Sequence, residues 1–123
     1  MNSIMSQDLN HNQLTSITPI DGRYHQKTEE LKSYFSEYAF IRYRLIVEIE
    51  YLIALSKIDL VETLEESEIA YLKNIYQKFS VKDAETVKEI EAKIKHDVKS
   101  IEYFIKLKIN ENPKLEEKGI SIF

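Results

Sequence analysis

The sequence is poor in the two residues that most readily turn a chain. It has two glycines and two prolines in 123 residues, where average usage would give about nine and about six. Pro19 and Gly22 lie near the start, Pro113 and Gly119 near the finish, so residues 23–112 contain neither. A β-sandwich, a barrel or a glycine-cradled phosphate loop needs turns that this stretch does not supply. Cysteine is absent, which excludes a disulfide framework, a zinc ribbon, a thiolate nucleophile and an iron–sulfur site. No apolar run exceeds residues 51–55, far short of a membrane span. The first 22 residues are polar and lack the apolar centre of a signal peptide. Basic charge is not in surplus either. Seventeen Lys and Arg stand against 21 Asp and Glu, for a net charge of −4, whereas a sequence-independent nucleic-acid binder needs a basic face to displace counterions. These absences predict a soluble cytosolic protein, all-α, with no nucleic-acid or membrane partner. The length predicts one domain.

What is present is helical periodicity. Residues 1–16 are rich in Asn, Ser and Gln and are expected to be a disordered tail ahead of a domain spanning 17–123. ITPIDGRY, residues 17–24, holds the only Pro–Gly punctuation for a long way and reads as an ordered loop. Thr28 is placed to cap a short helix with Glu29 and Glu30 in its first turn, and Ser36 to restart it. Tyr38, Ile41, Leu45, Ile49 and Leu52 recur at spacings of three and four, widened by Ile46 and Ile53, predicting a helix to about Ser56. Thr63 with Glu66 fits a capping box for a helix carrying Ile69, Leu72, Tyr76 and Phe79. Ser80 with Asp83 opens a third segment, in which Val87, Ile90, Ile94, Val98, Ile101 and Ile105 keep the period to about Ile109. Periodicity leaves open whether this segment is continuous or broken near His96, where Asp97 is an acceptable N-cap. Asn112-Pro113 is expected to end it, leaving the last ten residues as a loop.

Aromatics are abundant for so few helices. Seven tyrosines and four phenylalanines fall between positions 34 and 104, some of them off the main apolar stripes. Either the bundle is simply rich in apolar surface, or a partner or further chain covers these faces.

Chemistry has few places to reside. His11, His25 and His96 stand in no HExxH or HxxxH arrangement, so no metal site is expected from local spacing. Nucleophile elbow, P-loop and dinucleotide fingerprint are all missing. Two clusters remain. Asp21-Gly22-Arg23-Tyr24 sets a planar, permanently charged fork and a phenol beside a residue that lets the backbone bend. Such a loop suits carboxylate or phosphate, or else is a turn whose arginine pairs with a helix carboxylate. Lys95-His96-Asp97-Val98 is the other. His96 and Asp97 cannot face the same side of an unbroken helix. At a helix start Asp97 can cap while His96 points into a cleft, or His96 is a surface residue beside a cap.

ITPIDGRY, FSEYAFIRYRLIVEIEYLIAL, FSVKDAETVKEIE and HDVKSIEYFIKLK follow one another, in an order and spacing that resemble the N-terminal segment of bacterial adenylosuccinate lyases, within the fumarase/aspartase superfamily. The resemblance runs from about Leu14 to the C-terminus. It implies the N-terminal helical domain of that fold without the central long-helix bundle. It also implies a chain several times longer, a homotetramer, and active sites shared among three subunits. The family's catalytic histidine and the serine of its SSxMPxKxNP loop have no counterpart in these 123 residues, so no catalytic residue is expected in this chain. The implied reaction eliminates fumarate from adenylosuccinate, giving AMP, and from succinyl-aminoimidazole carboxamide ribotide. A base removes the proton beside a succinyl carboxylate, and an acid protonates the departing nitrogen. No cofactor or metal is implied. By matching position Arg23, Tyr24, His96 and Asp97 would bind the nucleotide substrate. The chain departs from the family's Thr-Asn-His-Asp, reading Ile94-Lys95-His96-Asp97, and Lys95 inherits no role. The competing expectation is a free-standing helical interaction module derived from the lyase.

Overall fold

A chain denied glycine and proline over ninety positions can reverse direction only where a polar side chain caps a helix or a residue accepts an unusual backbone angle. The computed structural model, which describes residues 9–120, shows both devices. Two units are distinct, residues 1–36 and 37–123.

In the first unit, short polar residues substitute for regular structure. Residues 1–8 of the expected tail lie outside the described residues. Beyond them the Asn12 carbonyl accepts from the Thr15 and Ser16 N–H groups at 3.1 and 2.9 Å, while its side chain accepts from Leu14 N–H at 2.8 Å. The ITPIDGRY loop is a succession of turns, closed by Thr18 N–H on Asp21 Oδ1 at 3.1 Å and by Tyr24 N–H on the Pro19 carbonyl at 3.0 Å. Two short helices follow, α1 (His25–Thr28) and α2 (Lys32–Phe35), joined by a 3₁₀ turn, Glu29–Leu31. Thr28 does not cap with its side chain as the sequence predicts. Its hydroxyl donates instead to the Ile20 carbonyl at 3.1 Å, tying α1 to the loop.

The second unit is built around α3 (Glu37–Lys57), which begins directly after an extended Ser36 and ends one residue past the predicted limit. Its stripe of Ile41, Leu45, Ile49, Leu52 and Ile53 is buried against α4 (Glu66–Gln77), α5 (Val81–Ile94) and α6 (Asp97–Asn110). Ser80 and Asp83 form the expected capping box of α5. Three tyrosines join the helices through their hydroxyls. Tyr38 donates to the Phe79 carbonyl, Tyr71 to the Lys108 carbonyl and Tyr76 to Glu50 Oε1. Part of the aromatic surplus is thus structural. Phe40, Tyr43, Val47 and Tyr51, along one side of α3, stay exposed.

Two boundaries differ from expectation for related reasons. The box of α4 is Glu65 with Glu68, not Thr63 with Glu66. Glu65 N–H donates to Glu68 Oε1 at 2.9 Å, and of the two hydrophobic-staple positions Leu64 is in the core and Ile69 packs against it, partly buried. The last residues are not all loop either. Pro113–Lys118 form α7, with Asn112 accepting from Lys114 and Leu115 N–H, Pro113 in the first turn and Gly119 at φ 59° closing the C-terminus. Proline stops one helix but is equally suited to begin the next. Lys118 reaches back from α7 to donate to the Thr63 carbonyl at 2.7 Å and to the Glu68 carboxylate. Among the described residues no helix is long and apolar enough to cross a membrane.

Glu68 is 1% exposed, and only one of its two oxygens is hydrogen-bonded. Burial pushes its carboxyl up. The Lys118 hydrogen bond, the Glu65 N–H and the charges of Lys118 and Lys114 outweigh burial and hold it below the ordinary value of 4.5. A depressed carboxyl adds stability above its unfolded value and loses it as pH falls through the folded one. Lys118→Ala should therefore cost about 2 kcal/mol at neutral pH, and the gap from wild type should close as pH drops below 4.5. Urea midpoints at neutral and acid pH measure both. A gap independent of pH would show that Lys118 acts through the Thr63 carbonyl and its own packing rather than through the Glu68 carboxylate.

Candidate functional site

The α5–α6 segment is broken, and the break is made by Lys95. This residue adopts the left-handed conformation, φ 56° and ψ 39°, and its N–H closes α5 on the Glu91 carbonyl. The chain then extends at His96, φ −147° and ψ 115°, and α6 starts at Asp97. The sequence points to Asp97 as the cap. The structure gives that role to His96, whose Nδ1 accepts from Lys99 N–H at 3.1 Å. Asp97 is the first helical residue. Its Oδ1 accepts from Val98 N–H at 2.8 Å, and its Oδ2 faces the Arg44 guanidinium of α3 at 3.5 Å.

The cap fixes the imidazole chemically. An Nδ1 that accepts from an amide carries no proton, so the ring proton sits on Nε2. The His96 side chain is 62% exposed and lines an open cleft of about 600 Å³ with Lys88, Glu91, Lys95 and Asp97. Lys88 is engaged by Glu91 at 3.0 Å and Glu37 at 3.4 Å, which raise its pKa. In this cleft Lys95 and the Nε2–H of His96 offer donors to an anionic ligand.

Arg23 and Tyr24 lie in the other unit. The guanidinium is not turned to a helix carboxylate but lies over the Tyr24 ring, 4.6 Å from its centroid, and Lys27 approaches the same ring at 5.8 Å. Both residues of the pair are exposed. They are held up by buried Gly22, where an added Cβ would stand 2.8 Å from the Gln13 carbonyl oxygen, so no side chain fits without moving the 12–16 turn. His25 Nδ1 meets the Gly22 carbonyl at 2.8 Å and must donate to it. In the neutral ring Nε2 then carries the lone pair. His25 lines a pocket of about 490 Å³ within this unit, together with His11, Asp21 and Lys32.

The structure thus brings Arg23 to Tyr24 and His96 to Asp97. Sequence reasoning missed Lys27 and Arg44. Lys27 is signalled by its spacing of four from Arg23 across the start of α1. Arg44 has no local signal, because its partner is more than fifty positions away.

No family model matches the chain. Curated proteins do. It is 48% identical over 103 residues to an adenylosuccinate lyase of Dictyostelium discoideum, covering 80% of this chain and 22% of that protein. It is 44% identical over 107 residues to the enzyme of Buchnera aphidicola from Schizaphis graminum, covering 85% and 24%. For the Escherichia coli K12 enzyme the figures are 41% over 105 residues, 83% and 23%. The chain is a sequence relative of the adenylosuccinate lyases. It spans under a quarter of the length of these lyases.

The departure at position 95 now has a physical reading. The resemblance sets asparagine there, and the structure holds the position in the left-handed region, which asparagine tolerates better than lysine because its short side chain bonds locally. Relative to the lyase pattern, Lys95 is a strained residue. Lys95→Asn should raise the unfolding free energy by about 0.5 kcal/mol and Lys95→Gly by about 1 kcal/mol. Denaturant unfolding measures both. A loss of stability in both variants would mean that the Lys95 side chain contributes more than its backbone costs.

Proposed function

We propose that this chain supplies nucleotide-binding residues to an adenylosuccinate lyase, which eliminates fumarate from adenylosuccinate and from succinyl-aminoimidazole carboxamide ribotide in purine biosynthesis. The observation that carries this reading is the 41–48% identity to curated lyases over about four-fifths of the chain. Arg23 and Tyr24 bind through a guanidinium fork that lies over a phenol ring and suits a phosphate or carboxylate. His96 donates from Nε2, and Asp97 orders the start of α6 beside it. These residues bind and orient. The proton taken from the succinyl carbon and the one given to the departing nitrogen are handled by groups outside these 123 residues, so the chain alone turns over no substrate. The working enzyme is a cytoplasmic homotetramer whose sites are completed by neighbouring subunits.

The test is a chimera in which this chain replaces the segment it matches in the E. coli lyase. The chimera should eliminate fumarate, followed by the loss of adenylosuccinate absorbance, while the isolated chain should not. A chimera that assembles yet is inactive would sink the proposal. It would favour the competing reading of a helical interaction module, which the exposed side of α3 carrying Phe40, Tyr43, Val47 and Tyr51 also suits.

Two substitutions in the active chimera separate binding from folding. Arg23→Lys keeps charge but loses the planar fork, and should weaken substrate binding by roughly 1.5–3 kcal/mol, about 10- to 150-fold. Binding like wild type would make Arg23 a turn residue. His96→Asn retains a strong N-cap but shortens the donor's reach. It should melt like the parent and lose at least about tenfold in kcat/KM. Unchanged kinetics would reduce His96 to its cap.

A further inference from the structure

We infer that Arg44 is a positioning residue for His96: by holding Asp97 from across the bundle, it decides which residue caps α6. Aspartate is among the strongest N-caps and histidine is not. Left to local preference, α6 would start one residue later, with Asp97 bonding the first free amides and His96 released. The structure shows the other frame. Asp97 is the first helical residue, its Oδ2 lies 3.5 Å from the Arg44 guanidinium, and the cap falls to His96 Nδ1 on Lys99 N–H at 3.1 Å. The carbonyl of His96 meanwhile accepts the first helical bond, from Ser100 N–H at 3.1 Å.

Arg44 is well placed to enforce this. It follows no flexible loop but sits on α3 beside fully buried Leu45, so its origin is fixed by the core. The Ser100 hydroxyl, buried in the same wall of α6, donates to the Asp97 carbonyl and supports the same frame. The consequence is that the imidazole is held with Nε2–H presented and Nδ1 occupied. A sequence pair, His96-Asp97, that can cap in either of two ways is committed to one by a charge 53 residues upstream in the chain.

This inference deepens the reading of His96 as a nucleotide contact and rests on it, but the cap itself is measurable with no nucleotide present. In the ¹⁵N-labelled 123-residue chain at about pH 8.5, above the ordinary imidazole range, the Lys99 amide and His96 Nδ1 should show a scalar coupling through their hydrogen bond. Arg44→Gln should reduce that coupling to less than roughly half, as Asp97 takes over the cap. Asp97→Ala removes the competitor and should keep the coupling, and Arg44→Gln with Asp97→Ala should restore it. A general structural role for Arg44 would not be rescued by deleting its partner. The inference is overturned if the coupling is absent in wild type, unchanged in Arg44→Gln, or not restored in the double variant. Should Arg44→Gln lose its helical dichroism, Asp97→Ala decides alone: a folded Asp97→Ala chain without the coupling overturns it. Nucleotide binding that fails while the coupling behaves as stated would sink the functional reading and leave the cap assignment standing.

Discussion

The left-handed backbone of Lys95 governs the second unit. One residue at φ 56° separates α5 from α6 and lets the two pack side by side, with α3 against both. Without the turn the apolar positions of residues 81–109 would form one rod, and Val87, Ile101 and Ile105 could not bury themselves in a common core with Leu45 and Ile49. The strain of a non-glycine residue in that region, of order 1 kcal/mol or more, is offset by the apolar burial it permits. The same turn sets His96 in extended conformation at the lip of a cleft rather than on the flank of a helix.

Two ion pairs show how burial changes what a charge does. Glu68 and Lys118 meet where water is largely excluded, so the pair binds α7 to α4 and its strength follows the ionisation of Glu68. Arg44 and Asp97 are each about half exposed, and a pair of that kind adds little stability. Its effect is directional. It keeps Asp97 as the first helical residue and leaves the cap to His96.

Most of the architecture was legible from spacing. The α3 stripe, the Ser80–Asp83 box and the C-terminal limit of α6 follow from local sequence, whereas periodicity leaves the break at Lys95 open. The displaced box at Glu65 was not legible, since what draws Glu68 inward is Lys118, fifty positions later. The helix at Pro113–Lys118 is not legible from Asn112-Pro113, because proline after a polar residue ends one helix and opens another equally well. At the site, the sequence marked His96 and Asp97 but exchanged their roles. Capping preference alone favours aspartate, and only the fold brings Arg44 to it. Arg23 and Tyr24 were legible as neighbours, whereas the stacking between them, with Lys27 on the same ring, depends on α1 beginning where it does.

The two histidines fixed by main-chain partners are of opposite polarity. His25 donates through Nδ1 to the Gly22 carbonyl, which leaves the lone pair of the neutral ring on Nε2. His96 accepts through Nδ1 from the Lys99 amide and shows a proton. While both rings are neutral, an oxyanion is therefore attracted by one and repelled by the other, although composition counts them as the same residue. The discrimination comes from backbone groups that carry no side-chain identity at all. A substitution at Gly22 or Lys99 that shifts the main chain would alter the sign of what an untouched imidazole offers to a ligand.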